Sequence, residues 1–596
     1  MTYTAPLADM RFVLNHLADL PGIATLPGCE EAEPEVADAI LTEAGRFAAE
    51  VLAPLNPVGD KEGNRWDNGV VTTAPGFRDA YHAFREAGWQ AMPAPAEFGG
   101  QGMPALVSTA VGEMWKSANH AFSLCQMLTI GAAEAIANHA SDELKQRYLP
   151  KMIAGEWTGT MNLTEPQAGS DLAAVRTRAE PDGDRYRIFG TKIFITWGEH
   201  DFTPNIIHLV LARLPDAPPG TRGISLFVVP KFLVNEDGSL GERNDLICAS
   251  IEHKLGIHAS PTAVMSYGDN EGAIGYLVGE KNRGLEYMFT MMNIARLNVG
   301  LEGVGLSEAA YQHALAYARM RVQGKPIGGD KPAAIIHHPD VRRLLLDMKA
   351  RTEAMRALAY YAAGCIDRAN HHPDPAERAR QQGRVDLLIP VVKGWSTENA
   401  IGITSAGVQV HGGMGFIEET GAAQYFRDAR ITTIYEGTTA IQANDLIGRK
   451  IARDKGVNVS ALISEIKDEV TALRDSGDAG LAAIGGALER GLAAFEQATG
   501  WVLENYDSRP REAAVGAVPF LMLSGVVIGG WLMGRSARIA AALKAQGAEN
   551  ADFLTAKLAT VRFYADHILN TAGGLRDEVI GGGESALALD EAVLFG

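Results

Sequence analysis

Glu436 stands in the segment Ile434-Tyr435-Glu436-Gly437-Thr438-Thr439, between an aromatic phenol and a glycine followed by two hydroxyls. A carboxylate in a water-poor cleft, its pKa raised toward the working range, can take a proton from carbon. Taken alone, the same residue also reads as a structural carboxylate near a helix start. Three other segments hold residue types that can bind an anionic or aromatic ligand. Thr164-Glu165-Pro166-Gln167-Ala168-Gly169-Ser170-Asp171 is a turn that can offer backbone N–H groups. Within it Gly169 permits close approach and Ser170 adds a donor; the other reading is a plain surface turn. Gly190-Thr191-Lys192-Ile193-Phe194-Ile195-Thr196 ends a strand, with Phe194 either core or a ligand-facing ring and Thr196 either a strand partner or a donor. Gln409-Val410-His411-Gly412-Gly413-Met414-Gly415-Phe416 follows a helical pattern, and its glycines either stop the helix or let backbone lie against a ligand. Neither a P-loop nor a dinucleotide fingerprint follows a strand, so any dinucleotide is held in another way.

Other chemistries find less support. His337-His338 and His371-His372 are adjacent pairs in Pro-bearing loops, and neighbouring residues rarely converge on one ion, so no metal site is expected. Cys29, Cys125, Cys248 and Cys365 form no CxxC pair and read as reduced thiols of a cytoplasmic protein. The net charge of −18 argues against a sequence-independent hold on nucleic acid. Residues 1–20 carry Asp9, Arg11 and Asp19 without a long apolar core, which argues against a secretory signal.

The elements that must position these segments change character along 596 residues, of which 46% are hydrophobic and 21% charged, an ordinary globular mixture. From about Pro34 to Gly155 the pattern is helical, as in Ala37, Ile40, Leu41, Ala44 and Phe47. From about Met161 to Tyr276 it is β, with runs at 184–196, 205–213 and 223–230. Helices return from about Asn282: Val341, Leu344, Leu345, Met348, Met355 and Leu358 make one face, with Arg342, Arg343, Asp347, Lys349 and Glu353 mostly off it. Beyond Val457 the chain is again helical. Ala513 to Gly534 runs without a charge and is long enough to span a bilayer. Its glycines, its proline and its charged helical flanks instead predict the central buried helix of a bundle, and no membrane span. The expected class is mainly α with a central β domain, divided at 1–160, 161–280, 281–454 and 455–596.

Together, in this order, the segments resemble the acyl-CoA dehydrogenase family. The matching pieces are PAEFGGQG (95–102), LTEPQAGSD (163–171), GTKIFIT (190–196), HKLGIHASPT (253–262), QVHGGMGF (409–416) and YEGTTAIQ (435–442). The resemblance covers roughly residues 35–450. Length, GEWTGTMNLTEP (155–166) and YARMRVQGKPI (317–327) are similar to the long members that carry an extra helical domain and act on 3-methylmercaptopropionyl-CoA in dimethylsulfoniopropionate breakdown.

The resemblance implies an N-terminal helical domain, a β-barrel-like middle domain, a C-terminal four-helix domain and an additional bundle, with FAD bound. By similarity, Met161, Leu163, Thr164, Gly169 and Ser170 line the flavin, with Ser170 also near the thioester arm. Phe194 stacks on the flavin and Thr196 donates toward it. Gln409, Gly412 and Gly413 line the adenosine-diphosphate part, and Thr438 approaches the pyrophosphate. Arg321 and Gln323 reach the FAD of a second subunit of a homodimer. Asn293, Arg296 and Gly437 contact the substrate. Phe194 replaces a common Trp, Ala440 a common Gln, and a Phe usual after Gln323 is absent. Glu436 becomes the base for the α-proton of an acyl-CoA thioester, with electron-transfer flavoprotein as electron acceptor. Rival readings are a general short- or medium-chain acyl-CoA dehydrogenase, an acyl-CoA oxidase, and a flavoprotein that binds nucleic acid.

Overall fold

A computed structural model describes residues 3–594, apart from the side chains of Phe289, Thr290, Met291 and Asn293. It contains two compact units: 46–104 with 118–298, and 3–45 with 105–117 and 299 onward.

The first unit holds the sheet. Its strands are β1 (Trp157–Asn162), β2 (Arg178–Asp182), β3 (Arg185–Thr196), β4 (Asn205–Arg213), β5 (Ile224–Pro230), β6 (Leu246–Ile251), β7 (Thr262–Tyr267) and β8 (Ala273–Val278). They run in the order β6-β7-β3-β8-β5-β4-β1, and β2 bonds both β3 and β4. The strands β3, β8, β5, β4 and β2 thereby close into a ring with no open edge among them, and β6 and β1 remain the edge strands of the sheet. Ile188, Val210, Ala212, Phe227, Val229 and Met265 form part of its core. All of β5 and all of β4 except Arg213 are buried, as their near-continuous apolar sequences require. The helix His120–His139 lies on β1: the Gly159 N–H donates to Thr129 Oγ1 at 3.1 Å.

The second unit is helical. The strongly periodic sequence before Gly45 forms the helix Pro34–Phe47, with Ala37, Leu41 and Ala44 buried. Pro339 opens the helix Pro339–His371, whose Leu345, Met348, Met355 and Leu358 are buried as the spacing predicts. Glu353 departs from that expectation: it is 3% exposed and paired with Lys349 and Lys557. Its inward position follows from a partner distant in sequence, which periodicity cannot see. The same cluster continues to Arg356, 1% exposed, which meets Asp9 at 2.7 Å, Glu113 at 2.5 Å and Glu308 at 2.7 Å.

The uncharged stretch resolves in favour of a buried helix. Ala517–Ala545 is long and apolar enough to cross a membrane, but 83% of its most apolar window is buried inside the protein. Residues 513–515 belong to the preceding short helix Pro510–Val515. Close approach explains the small residues: a Cβ on Gly525 would stand 2.1 Å from Trp395 Cγ, and one on Gly530 would meet Leu569 at 2.6 Å. Gly525→Val is expected to overpack this contact at a cost of about 1–3 kcal/mol or more. Urea unfolding checks it, and an unchanged midpoint would refute the tight helix contact at Trp395.

Candidate functional site

In the first unit the two predicted ligand-facing segments are built side by side. Pairing of β7 with β3 sets Thr262 opposite Thr196 and Ala263 opposite Ile195, yet Met265 opposite Lys192. Ile193 and Phe194 thus oppose one residue, Val264, and the extra residue makes a β-bulge. Phe194 takes φ +60°, rare for a bulky side chain, and is 58% exposed. The bulge turns the ring out of the alternation, so Phe194 is a presented aromatic surface and not core. Thr196, half-buried, accepts at its carbonyl from Thr160 Oγ1 at 2.7 Å, which ties the strand end to β1 and its neighbour Met161.

The link between the segments is a pair that sequence reasoning missed. Glu165 is 3% exposed and Lys192 fully buried, and Lys192 Nζ donates to Glu165 Oε1 at 2.8 Å and to the Leu163 carbonyl at 3.0 Å. The Ile193 N–H donates to the Thr164 carbonyl at 2.9 Å. Glu165 also accepts from the N–H groups of Arg176 at 2.7 Å and Thr177 at 3.0 Å. Burial pushes this carboxyl up, but Lys192 and the backbone donors overcome it and bring it from 4.5 to about 2. Burial pushes the Lys192 ammonium down to about 8 against the pull of Glu165. The available signal was one acid in the first segment and one base in the second. Met161 is buried on β1, Leu163 and Thr164 are half-buried, and Gly169 and Ser170 are exposed. Arg296 is 5% exposed on the helix Gly284–Met320, and the side chain of Asn293 lies outside the described residues.

In the second unit Glu436 is half-buried and takes φ +52°, followed by Gly437 at +87°. A non-glycine residue in this region costs about 1–3 kcal/mol and persists only where its surroundings hold it. They do so here. Gln442 Nε2 donates to the carbonyls of Glu436 at 3.1 Å and Gly437 at 3.2 Å. The Tyr435 phenol donates to Glu302, which is fully buried. Thr439 Oγ1 donates to Glu398 at 2.6 Å. Thr438 caps the helix Thr439–Asn444 by accepting from the Ile441 N–H at 3.3 Å, which leaves its own O–H to donate.

The glycine segment of the same unit follows the helix Pro375–His411 as a short turn. Gln409, Gly412 and Gly413 are exposed, and a Cβ on either glycine would meet nothing within 4 Å. The turn is fixed from below by His411, whose ring stacks on His313 at 4.7 Å and Tyr317 at 4.4 Å. Arg321 and Gln323 are exposed and bond each other at 3.3 Å. All four cysteines are free and buried. Each unit by itself carries features that fit part of an FAD: in the first, an uncovered aromatic ring at Phe194, open backbone at Gly169 and a hydroxyl at Ser170; in the second, open backbone at Gly412 and Gly413 and a free hydroxyl proton on Thr438.

Matches along nearly the whole sequence show that the chain belongs to the acyl-CoA dehydrogenase family, and it is an oxidoreductase. Residues 34–156, 160–269 and 282–451 match the N-terminal, middle and C-terminal domains of acyl-CoA dehydrogenase, and 462–590 match a domain described as acetyl-CoA dehydrogenase C-terminal like. Among individual proteins, the chain is 50% identical over 593 residues to 3-methylmercaptopropionyl-CoA dehydrogenase of Ruegeria pomeroyi, covering 98% of this chain and 99% of that one. It is 36% identical to a butyryl-CoA dehydrogenase of Syntrophomonas wolfei, over 95% of each. In fold it is similar to an acyl-CoA dehydrogenase of Bacillus anthracis solved with FAD, with a TM-score of 0.75 at 20% identity, covering 96% of this chain and 92% of that one.

Glu165→Gln leaves the Lys192 charge buried without its counter-charge and is expected to destabilise the protein by about 3–5 kcal/mol. The wild-type carboxyl is more acidic folded than unfolded, so its contribution is complete above pH 4.5 and is lost as pH falls through about 2. The variant should therefore show a flatter acid limb in a plot of stability against pH. An identical limb would exclude Glu165 as a contributor.

Proposed function

We propose that the protein catalyses FAD-dependent α,β-dehydrogenation of 3-methylmercaptopropionyl-CoA to 3-methylthioacryloyl-CoA, with Glu436 as the base. The observation that carries the substrate is the 50% identity across nearly the whole chain to the Ruegeria pomeroyi enzyme, against 36% to the butyryl-CoA dehydrogenase.

The chemistry follows from the residues. The α-C–H of a thioester is a weak acid, and its removal needs a positioned carboxylate and a donor for the oxygen that gains charge. Glu436 takes the α-proton, and the C–H electron pair becomes the new C=C bond. The Glu436 backbone N–H serves as donor to the thioester oxygen. Bound FAD would supply the two-electron acceptor for the β-hydride, with an electron-transfer flavoprotein as the onward acceptor. Met161, Leu163, Thr164, Gly169, Ser170, Phe194 and Thr196 hold and orient the flavin. Gln409, Gly412, Gly413 and Thr438 hold its diphosphate part, and Asn293, Arg296 and Gly437 bind the substrate.

The protein acts as a cytoplasmic homodimer in this reading. Its four free, buried cysteines suit a reducing compartment. Met320 (73% exposed), Ile327 (89%) and Phe416 (86%) lie close in sequence to Arg321, Gln323 and the glycine turn, and large exposed apolar side chains there suit a protein contact.

Glu436→Gln is expected to keep bound FAD and to lose flavin reduction by substrate; rapid bleaching of the flavin absorbance in that variant would remove Glu436 as the base. In a kcat/KM panel of straight-chain and thioether acyl-CoAs, 3-methylmercaptopropionyl-CoA should lead. Equal or better turnover of butyryl-CoA would defeat the narrow substrate and leave the reaction class intact.

A further inference from the structure

We propose that Tyr435 is a positioning residue for proton transfer: its phenol, anchored on the buried carboxylate of Glu302, fixes the left-handed turn from which Glu436 reaches the substrate. The inference rests on Glu436 being the base.

Glu302 lies on the helix Gly284–Met320 with no exposed surface and accepts the Tyr435 O–H. A carboxylate buried to that degree needs a compensating charge. Lys116, 3% exposed on the helix Ala105–Ala118, supplies it through its electrostatic interaction with Glu302. The phenol is thus tied to a buried carboxyl on a helix, while Glu436 stands in the turn before the helix Thr439–Asn444. Burial first, and then the charges of Glu302 and Glu436, push the phenol well above its ordinary range, so it keeps its proton.

The anchor acts on the residue before Glu436. Gln442 acts on the carbonyls of Glu436 and Gly437 after it. The strained residue is therefore held from both sides, and removal of either hold lets its φ relax. A small displacement of a base is costly because proton transfer demands hydrogen-bonding distance and alignment.

The test uses full-length holoenzyme with the acyl-CoA of highest kcat/KM, protiated and deuterated at the α-carbon. Tyr435→Phe should keep FAD and the wild-type melting temperature within a few degrees. Its kcat should fall about 10- to 100-fold, with KM within about twofold. The α-deuterium isotope effect on kcat should rise, which a merely structural role would not produce. Glu302→Gln should lose less kcat, because the amide oxygen still accepts the phenol proton, while its melting temperature should fall because buried Lys116 loses that charge. Wild-type kcat and isotope effect in Tyr435→Phe would overturn the positioning role while an inactive Glu436→Gln leaves the base in place. An active Glu436→Gln overturns the reading on which the proposal rests.

Discussion

Arg356 carries a full charge inside the helical unit, and three carboxylates from three stretches of chain converge on it: Asp9, Glu113 and Glu308. Lys557 closes a second loop through Asp9 and Glu353. Desolvating so many ions brings little net stability, but removing one partner leaves an uncompensated buried charge that costs about 3–5 kcal/mol. The cluster therefore acts as a registration device. It accepts one arrangement of the N-terminal residues, the 105–118 and 284–320 helices, the 339–371 helix and the C-terminal bundle. The segment that holds Glu436 depends on that arrangement, since its supports at Glu302, Glu398 and Gln442 all lie in this unit.

Much of the architecture was legible in the sequence, because periodicity reports burial directly. The runs at 184–196, 205–213 and 223–230 became β3, β4 and β5 within a residue, and Pro339 opened its helix. The uncharged stretch was read as a buried helix from its glycines, and those glycines lie against Trp395 and Leu569. Glu353 shows the limit: a charge on a helix looks solvent-facing until its partners, among them Lys557 some 200 residues later, are known.

At the proposed site, the conformations of the residues named from the sequence were not legible in it. Phe194 was ambiguous between core and ligand surface because a strand alternates, and only a bulge breaks the alternation. No local signal in GTKIFIT announces that bulge. Glu165 and Lys192 sat inside two quoted segments yet drew no notice, since an acid and a base 27 residues apart acquire meaning only when the strands bring them together. Glu436 was selected by its company, and its left-handed backbone was invisible in the letters.

The bond between Asp9 and Lys557 spans 548 residues of sequence. During synthesis the first helices cannot complete their surroundings until nearly the entire chain has left the ribosome. At about 5–20 residues per second, that is a wait of roughly half a minute to two minutes. The sheet-bearing unit, finished by residue 298, meets no such delay. The nascent chain thus carries a closed β ring beside an N-terminal segment with buried-type residues such as Met10, Phe12 and Leu14 still uncovered.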